Sequence, residues 1–183
     1  MRRPNPAGLM FLALLACHRA PANTSAPPAA VRVSEGNVVA IILAANNTDL
    51  SYARLVPARA RSVAVKTFAE RMTTDHTILN TRIADIAQRN GISAEDDAIS
   101  LDFRDHSANR RDILRELDGA RFDSTYAANE IQYHQELLDA IDHVLLPSAR
   151  TPELREFVSY LKPAVSAHLA HAQQMRTAIA SGK

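Results

Sequence analysis

The sequence predicts an all-α protein, a bundle of four long helices with a short additional crossover helix. Apolar residues recur every three or four positions along four long stretches, which is the spacing of one helix face. Proline, Asn-Gly and helix-capping residues mark the ends of these stretches. No stretch alternates apolar and polar residues as a half-buried strand would. With 183 residues, 46% of them hydrophobic, one core and one domain are expected.

The first 16 residues have the pattern of a signal peptide. Arg2 and Arg3 precede a short apolar run that ends at Ala16. This run is too short for a permanent membrane span, which needs roughly 20 apolar residues. The tetrapeptide Leu-Leu-Ala-Cys, residues 14–17, resembles a bacterial lipobox, in which the cysteine becomes the lipidated first residue of the mature protein. The other interpretation is an ordinary signal peptide that contains a cysteine.

Cys17 is the single cysteine of the chain, and acylation would explain both its position and its isolation. The sequence therefore predicts a lipoprotein of the bacterial cell envelope that faces the periplasm and is anchored in the outer membrane through Cys17. Residues 17–33, rich in Pro, Ala and Ser, are predicted to be a flexible tether, and residues 34–181 the helical domain.

Cleavage before Cys17 would remove Arg2 and Arg3, two of the 21 basic residues, and leave 19 against 20 acidic ones. No basic cluster remains that would indicate a nucleic-acid partner. The chain also lacks a Gly-x-Ser-x-Gly motif and a phosphate-binding loop, and it offers no nucleophilic cysteine, so no common class of enzyme is indicated.

The first two long helices are predicted from capping and breaking residues. One starts after Ser34 and runs to about Arg59, where Pro57 ends or kinks it. The other starts at about Ser62 and stops at Asn90-Gly91, a common helix C-terminus.

A shorter, highly charged helix is expected from about Leu101 to Leu117, packed on the outside as a crossover. Phe122 and Asp123 then have the pattern of a staple residue and an N-cap, so the next long helix is predicted to start there and to end at Pro147. Thr151 and Pro152 open the last helix, which contains Pro163. Two tight turns and one long crossover are the connections of a ferritin-like four-helix bundle.

The apolar face of each long helix is interrupted near its middle by residues whose side chains can bind a metal ion. We call such an apolar face a stripe. Antiparallel helices of similar length bring their midpoints to similar heights, so these interruptions are expected to meet in one layer. Imidazole and carboxylate groups together suit Zn, Cu, Fe, Mn or Ni. The candidate ligands are Asp49, His76, His134 and His168, and the candidates for orienting or supplementing them are Asp75, Glu130 and His171.

Several segments resemble the bacterial domain-of-unknown-function family 4142, whose members are described as outer-membrane proteins with a ferritin-like fold. The resemblance rests on Phe68-Ala69-Glu70-Arg71-Met72 with Asp75-His76, on residues 122–126 with His134, and on Pro163 with His168. It covers roughly residues 37–179 and implies the fold and the compartment, because the family has no settled biochemical role. The family usually has a glutamate where this chain has Asp49, whose shorter side chain reaches less far into a bundle.

The histidines do not form the pattern of a di-iron bundle, which needs two Glu-x-x-His pairs and two further glutamates. Glu130 and His134 are four residues apart, and His76 and His168 lack the upstream glutamates. Two hypotheses remain open at this point. The polar layer binds a transition metal, or it is a metal-free hydrogen-bond network in a structural or stress-related lipoprotein.

Overall fold

The computed structural model describes residues 31–182 and confirms an all-α helical bundle, with no strand in that range. The predicted signal peptide and the predicted tether up to residue 30 lie outside the described residues. None of the helices between residues 31 and 182 has the length and hydropathy to cross a membrane. The helices are α1 (Glu35–Ala53), α2 (Val56–Arg59), α3 (Val63–Arg89), α4 (Ala98–Arg115), α5 (Gly119–Ala140), a π-helical turn (Ile141–Leu145), α6 (Leu146–Ser148) and α7 (Pro152–Ala180).

Two apolar clusters fill the bundle, one towards each end. The first combines the first half of α1, the second half of α3, the residues after α5 and the first half of α7. The second combines the opposite halves of the same helices. Helices α3 and α5 therefore run in the same direction, and a short turn cannot join them. Helix α4 makes the required crossover along the bundle.

Helix α1 is buried on nearly all sides because it packs against both α3 and α4. Its run Val38-Val39-Ala40-Ile41-Ile42 is at most 2% exposed. Phe103 and Leu114 face inward from α4, whereas most of the other side chains of α4 are exposed or half-buried. The crossover helix thus covers the side of α1 that α3 leaves open.

The start of α1 agrees with the prediction, but its end does not. Ser34 and Asn37 form a capping box, in which the Ser34 hydroxyl accepts from the Asn37 amide at 3.0 Å. The predicted helix to Arg59 is in fact two helices, because α1 ends at Ala53 and α2 starts at Val56. Pro57 lies in the first turn of α2, where a missing backbone donor costs nothing.

The predicted role of Asp123 as an N-cap is wrong. Helix α5 begins at Gly119 with Asp118 as its N-cap, so Asp123 lies inside the helix. Its carboxylate accepts from the backbone amides of Arg61 at 3.2 Å and Ser62 at 2.9 Å. Those amides lie at the start of α3, where helix donors lack partners within the helix. Asp123 therefore joins α5 to the N-terminus of α3.

Helix α7 begins at Pro152, as predicted, and Pro163 lies inside it. Thr151 is the N-cap residue, but its side chain does not cap the helix. Its hydroxyl donates to Glu35 at 2.9 Å, and the same carboxylate accepts the backbone amides of Arg150 and Thr151. This contact fixes the start of α7 to the start of α1.

The residues predicted to form the core are all buried. They are Ile42, Phe68, Met72, Leu137, Ile141, Leu161 and Val165.

Leu137 lies in the first apolar cluster with 5% of its surface exposed, so we expect Leu137→Ala to lower the free energy of unfolding by about 2–5 kcal/mol. Chemical denaturation measures the loss. The matched control is Leu101→Ala on α4, because Leu101 is 48% exposed and its truncation creates no cavity. Equal losses for the two variants would mean that this core is loosely packed.

Candidate metal centre

A layer of buried polar residues lies between the two apolar clusters. On α3 it falls between Met72 of one cluster and Leu79 of the other. Every member is at most 4% exposed. The members are Asn46 and Asp49 on α1, His76 on α3, Glu130 and His134 on α5, and His168 on α7.

Three histidines from three helices meet in this layer. The ring centres of His76 and His168 are 5.3 Å apart, those of His134 and His168 5.5 Å, and those of His76 and His134 6.2 Å. One ring nitrogen of each histidine lies within 4.8 Å of the corresponding nitrogen of the other two. The helical register therefore brings together the three histidines that the apolar stripes single out.

One nitrogen of each ring is held by a partner outside the cluster. His134 Nδ1 donates to the backbone oxygen of Glu130 at 2.8 Å, because a carbonyl can only accept. His76 Nδ1 pairs with the side-chain oxygen of Asn46 at 2.9 Å. His168 Nε2 pairs with the carboxylate of Asp75 at 3.0 Å. These partners fix the proton on the outer nitrogen and leave a lone pair on the other one.

The inner nitrogens of the three histidines have no hydrogen-bond partner among residues 31–182. They are His76 Nε2, His134 Nε2 and His168 Nδ1. Both carboxylate oxygens of Asp49 and both of Glu130 are buried and also without a partner within the described chain. Leaving one buried polar atom unsatisfied costs about 1–3 kcal/mol, and these nitrogen and oxygen atoms form groups that could hold a metal ion.

Asp49 reaches the histidines despite its short side chain. Its Oδ2 lies 3.2 Å from His76 Nε2 and 3.5 Å from His134 Nε2. Two ligands bound tetrahedrally at about 2.0–2.1 Å from one metal ion are about 3.3 Å apart. The spacing of these atoms is therefore that of two edges of a metal-ligand tetrahedron.

A second potential ligand group shares His134 with the first. It consists of Asp49, Glu130 and His134, whose ligand atoms also lie within 4.8 Å of one another. Burial and then the charge of Asp49 raise the pKa of Glu130 well above its usual range. Burial opposes ionisation of Asp49 as well, but the histidines, His76 foremost, hold its pKa below the ordinary value. The pKa values of these two carboxyl groups are thus shifted in opposite directions, which favours a charged Asp49 beside a neutral Glu130.

The electrostatics of the layer also keep imidazole neutral. Burial lowers the pKa of His134. Burial, followed by the neighbouring His76 and His134, lowers the pKa of His168 to about 4. A neutral imidazole is the form that binds a metal, so neither ring must lose a proton at neutral pH before it can act as a ligand.

The remaining predicted residues lie outside the inner group. Asp75 contacts only the outer nitrogen of His168 and is itself approached by Arg71 at 3.5 Å. His171 belongs to neither ligand group and lines a groove beside Asp75. His106, predicted to be solvated, is exposed and lies 3.2 Å from Asp102.

Asn46 is the functional residue that sequence reasoning left without a role. It was recognisable as an interruption of the α1 stripe, but its pairing with His76 depends on the relative height of α1 and α3. Tyr133 packs beside this layer and donates its hydroxyl to the backbone oxygen of Ala45 at 2.7 Å. Tyr126 is fully buried beside Glu130, and burial raises its pKa well above the usual value.

Comparison with known proteins gives one match. The sequence model of a family described as "Domain of unknown function (DUF4142)" matches residues 20–175, which is most of the chain. No curated protein and no solved structure was found to match.

Proposed function

The chain belongs to the DUF4142 family of domains of unknown function, and within that family we propose that it is an envelope lipoprotein that binds a transition-metal ion in the centre of its bundle. The inner ligands are His76, His134 and His168, with Asp49 as the anionic ligand. Glu130 lies next to them as a further ligand.

One observation carries this proposal. All three histidines have the outer nitrogen hydrogen bonded and the inner nitrogen bare. Metal-binding histidines in proteins have this arrangement, in which a carboxylate, carbonyl or amide oxygen fixes the ring and leaves the other nitrogen for the metal. Asp75, the Glu130 carbonyl and Asn46 supply these contacts. A lone core histidine would instead have a polar partner on each side.

The chemistry of the donors limits the choice of ion. Three imidazoles and one carboxylate suit Zn, Cu, Fe, Mn or Ni. Mg²⁺ and Ca²⁺ prefer sites made of oxygen ligands, which the three histidines do not provide. When bound, the ion supplies a positive charge that stabilises Asp49 in a position with no access to water. The competing hypothesis is the metal-free hydrogen-bond network, in which Asp49 Oδ2, 3.2 Å from His76 Nε2, would accept from the imidazole in place of a metal ion.

Adding Zn, Cu, Fe, Mn or Ni to metal-stripped protein is expected to stabilise the fold if the ion binds only the folded chain. The increment is about 2.7 kcal/mol at a hundredfold excess over the dissociation constant. The measurement is thermal unfolding of tag-free protein with and without each ion. We expect His134→Gln to abolish the increment and still to fold, because glutamine matches the polarity and length of the side chain.

The matched control is His106→Gln, which removes an exposed imidazole from α4 and should leave the increment unchanged. Identical melting of the wild-type protein with and without all five ions would favour the metal-free network.

The membrane attachment is proposed from residues 14–17 and from the solitary Cys17. Several acyl chains would anchor the protein firmly, because each buried methylene contributes about 0.8 kcal/mol. Cys17→Ala is therefore expected to release the protein from the membrane fraction or to block its processing. Fractionation and gel mobility measure this, with Cys17→Ser as a second variant that keeps a polar side chain. Unchanged membrane association in both variants would contradict the lipoprotein proposal.

A further inference from the structure

A surface groove between α3 and α7 contains Asp75, which is hydrogen bonded to His168 of the polar layer. Its volume is about 760 Å³, and its lining includes Phe68, Thr74, Asp75, His171 and Met175. Asp75 is the one groove residue that is hydrogen bonded to a histidine of the layer. The side chain of Asp75 is 34% exposed and that of His168 is 5% exposed, whereas those of His76 and His134 are 0% exposed. Solvent exposure thus decreases stepwise from Asp75 through His168 to the buried His76 and His134.

The other cavities do not offer this connection. The cavity beside His76, lined otherwise mainly by aliphatic residues, has a volume of only about 10 Å³. A larger cavity of about 640 Å³ lies between α4 and α5, but none of its lining residues is hydrogen bonded to one of the three histidines. Of these three openings, the groove is the one that is both roomy and lined by a residue hydrogen bonded to a histidine of the layer.

We propose that this groove is the path by which a hydrated transition-metal ion reaches the centre, an inference that rests on the proposed function. Asp75 and His171 are the first potential ligands the ion meets, since both line the groove. His168 lies between Asp75 and the centre, because its Nε2 is hydrogen bonded to Asp75 and its unpaired Nδ1 belongs to the inner group. Arg71 pairs weakly with Asp75 from an exposed position, so an arriving cation displaces it at little cost.

The path is tested by the rates of metal exchange, because an obstruction slows binding and release without changing the bound state. Thr74 is exposed and lines the groove, while Thr77 is exposed on the same helix and does not. We expect Thr74→Trp to lower both the association and the dissociation rate of Zn²⁺ by about tenfold, and Thr77→Trp to leave both unchanged. The equilibrium constant should stay the same within about threefold in both variants.

Stopped-flow mixing of the full chain with Zn²⁺ and a fluorescent zinc indicator gives both rates, and thermal melting of each variant confirms that it is folded.

His171→Gln serves as a milder second variant, expected to lower the association rate several-fold without abolishing binding. Equal rates for Thr74→Trp and Thr77→Trp, or an unchanged association rate in His171→Gln, would overturn the path through the groove. Absence of Zn²⁺ binding by the wild-type chain, together with identical melting with and without Zn, Cu, Fe, Mn and Ni, would instead overturn the proposed function itself.

Discussion

Glu130→Gln is expected to make the metal-free protein more stable at neutral pH, although the side chain is fully buried. Burial and the charge of Asp49 raise the folded-state pKa of Glu130, so folding takes up a proton at neutral pH. A group with a raised folded-state pKa contributes its full stability below its unfolded pKa, and this contribution is lost as pH rises through the folded pKa. Glutamine resembles the protonated acid but cannot ionise, so the variant does not lose this stability as pH rises.

The gain should be absent near pH 4 and should grow by about 1.4 kcal/mol for each pH unit above about 4.5, up to the folded-state pKa. Chemical denaturation of metal-stripped protein at several pH values measures it. The control is Glu136→Gln, also on α5, where the carboxylate is partly exposed and paired with Arg110 at 2.7 Å. That variant should lose a little stability at every pH in this range. A Glu130→Gln variant less stable than wild type at pH 8 would contradict the account.

His168 is expected to make the metal-free protein sensitive to mild acid. Its pKa falls from 6.5 to about 4 on folding, because burial and the neighbouring imidazoles disfavour the charged ring. Below pH 6.5 the unfolded chain gains a proton at this residue and the folded chain does not. The contribution of His168 to stability is therefore lost as pH falls from 6.5 towards 4, by about 3 kcal/mol in all.

The test compares wild type with His168→Gln, since the difference between them isolates His168 from Asp49, Glu130 and His134. The stability of wild type relative to the variant should decrease as pH falls from 6.5 to 4. His106→Gln, in which an exposed imidazole is removed, should follow the wild-type curve. A constant difference between wild type and His168→Gln across this range would mean that the ring is not held neutral.

Local sequence signals predicted the helix faces because burial follows helical periodicity directly. The residues that interrupt these faces, Asp49, His76, Glu130, His134 and His168, are at most 4% exposed. The C-terminus of α3 was recognisable from Asn90-Gly91, and Gly91 has a φ of +63° that other residues avoid. The end of α1 could not be recognised in the same way, because the break between α1 and α2 precedes Pro57 and leaves no signal in the sequence.

The sequence predicted which residues form the candidate site, but it did not predict how their side chains are arranged. Periodicity places His168 and His171 on neighbouring positions of one face, and it cannot say that the first turns inward while the second lines a groove. The contacts that orient the rings connect α1 with α3 and α3 with α7. They depend on how far each helix is shifted along its neighbour, which packing of the whole bundle determines. The role of Asp123 at the start of α3 was missed for the same reason.

The most direct test of the metal centre is X-ray absorption at the zinc edge, on tag-free protein that has been reconstituted with Zn²⁺ and freed of excess ion. We expect nitrogen and oxygen ligands at about 2.0–2.1 Å, with the outer-shell scattering of three imidazoles. His134→Gln should retain no zinc after the excess ion is removed. Protein that retains no zinc, or a zinc environment without imidazole scattering, would contradict the assignment of the buried histidines as metal ligands.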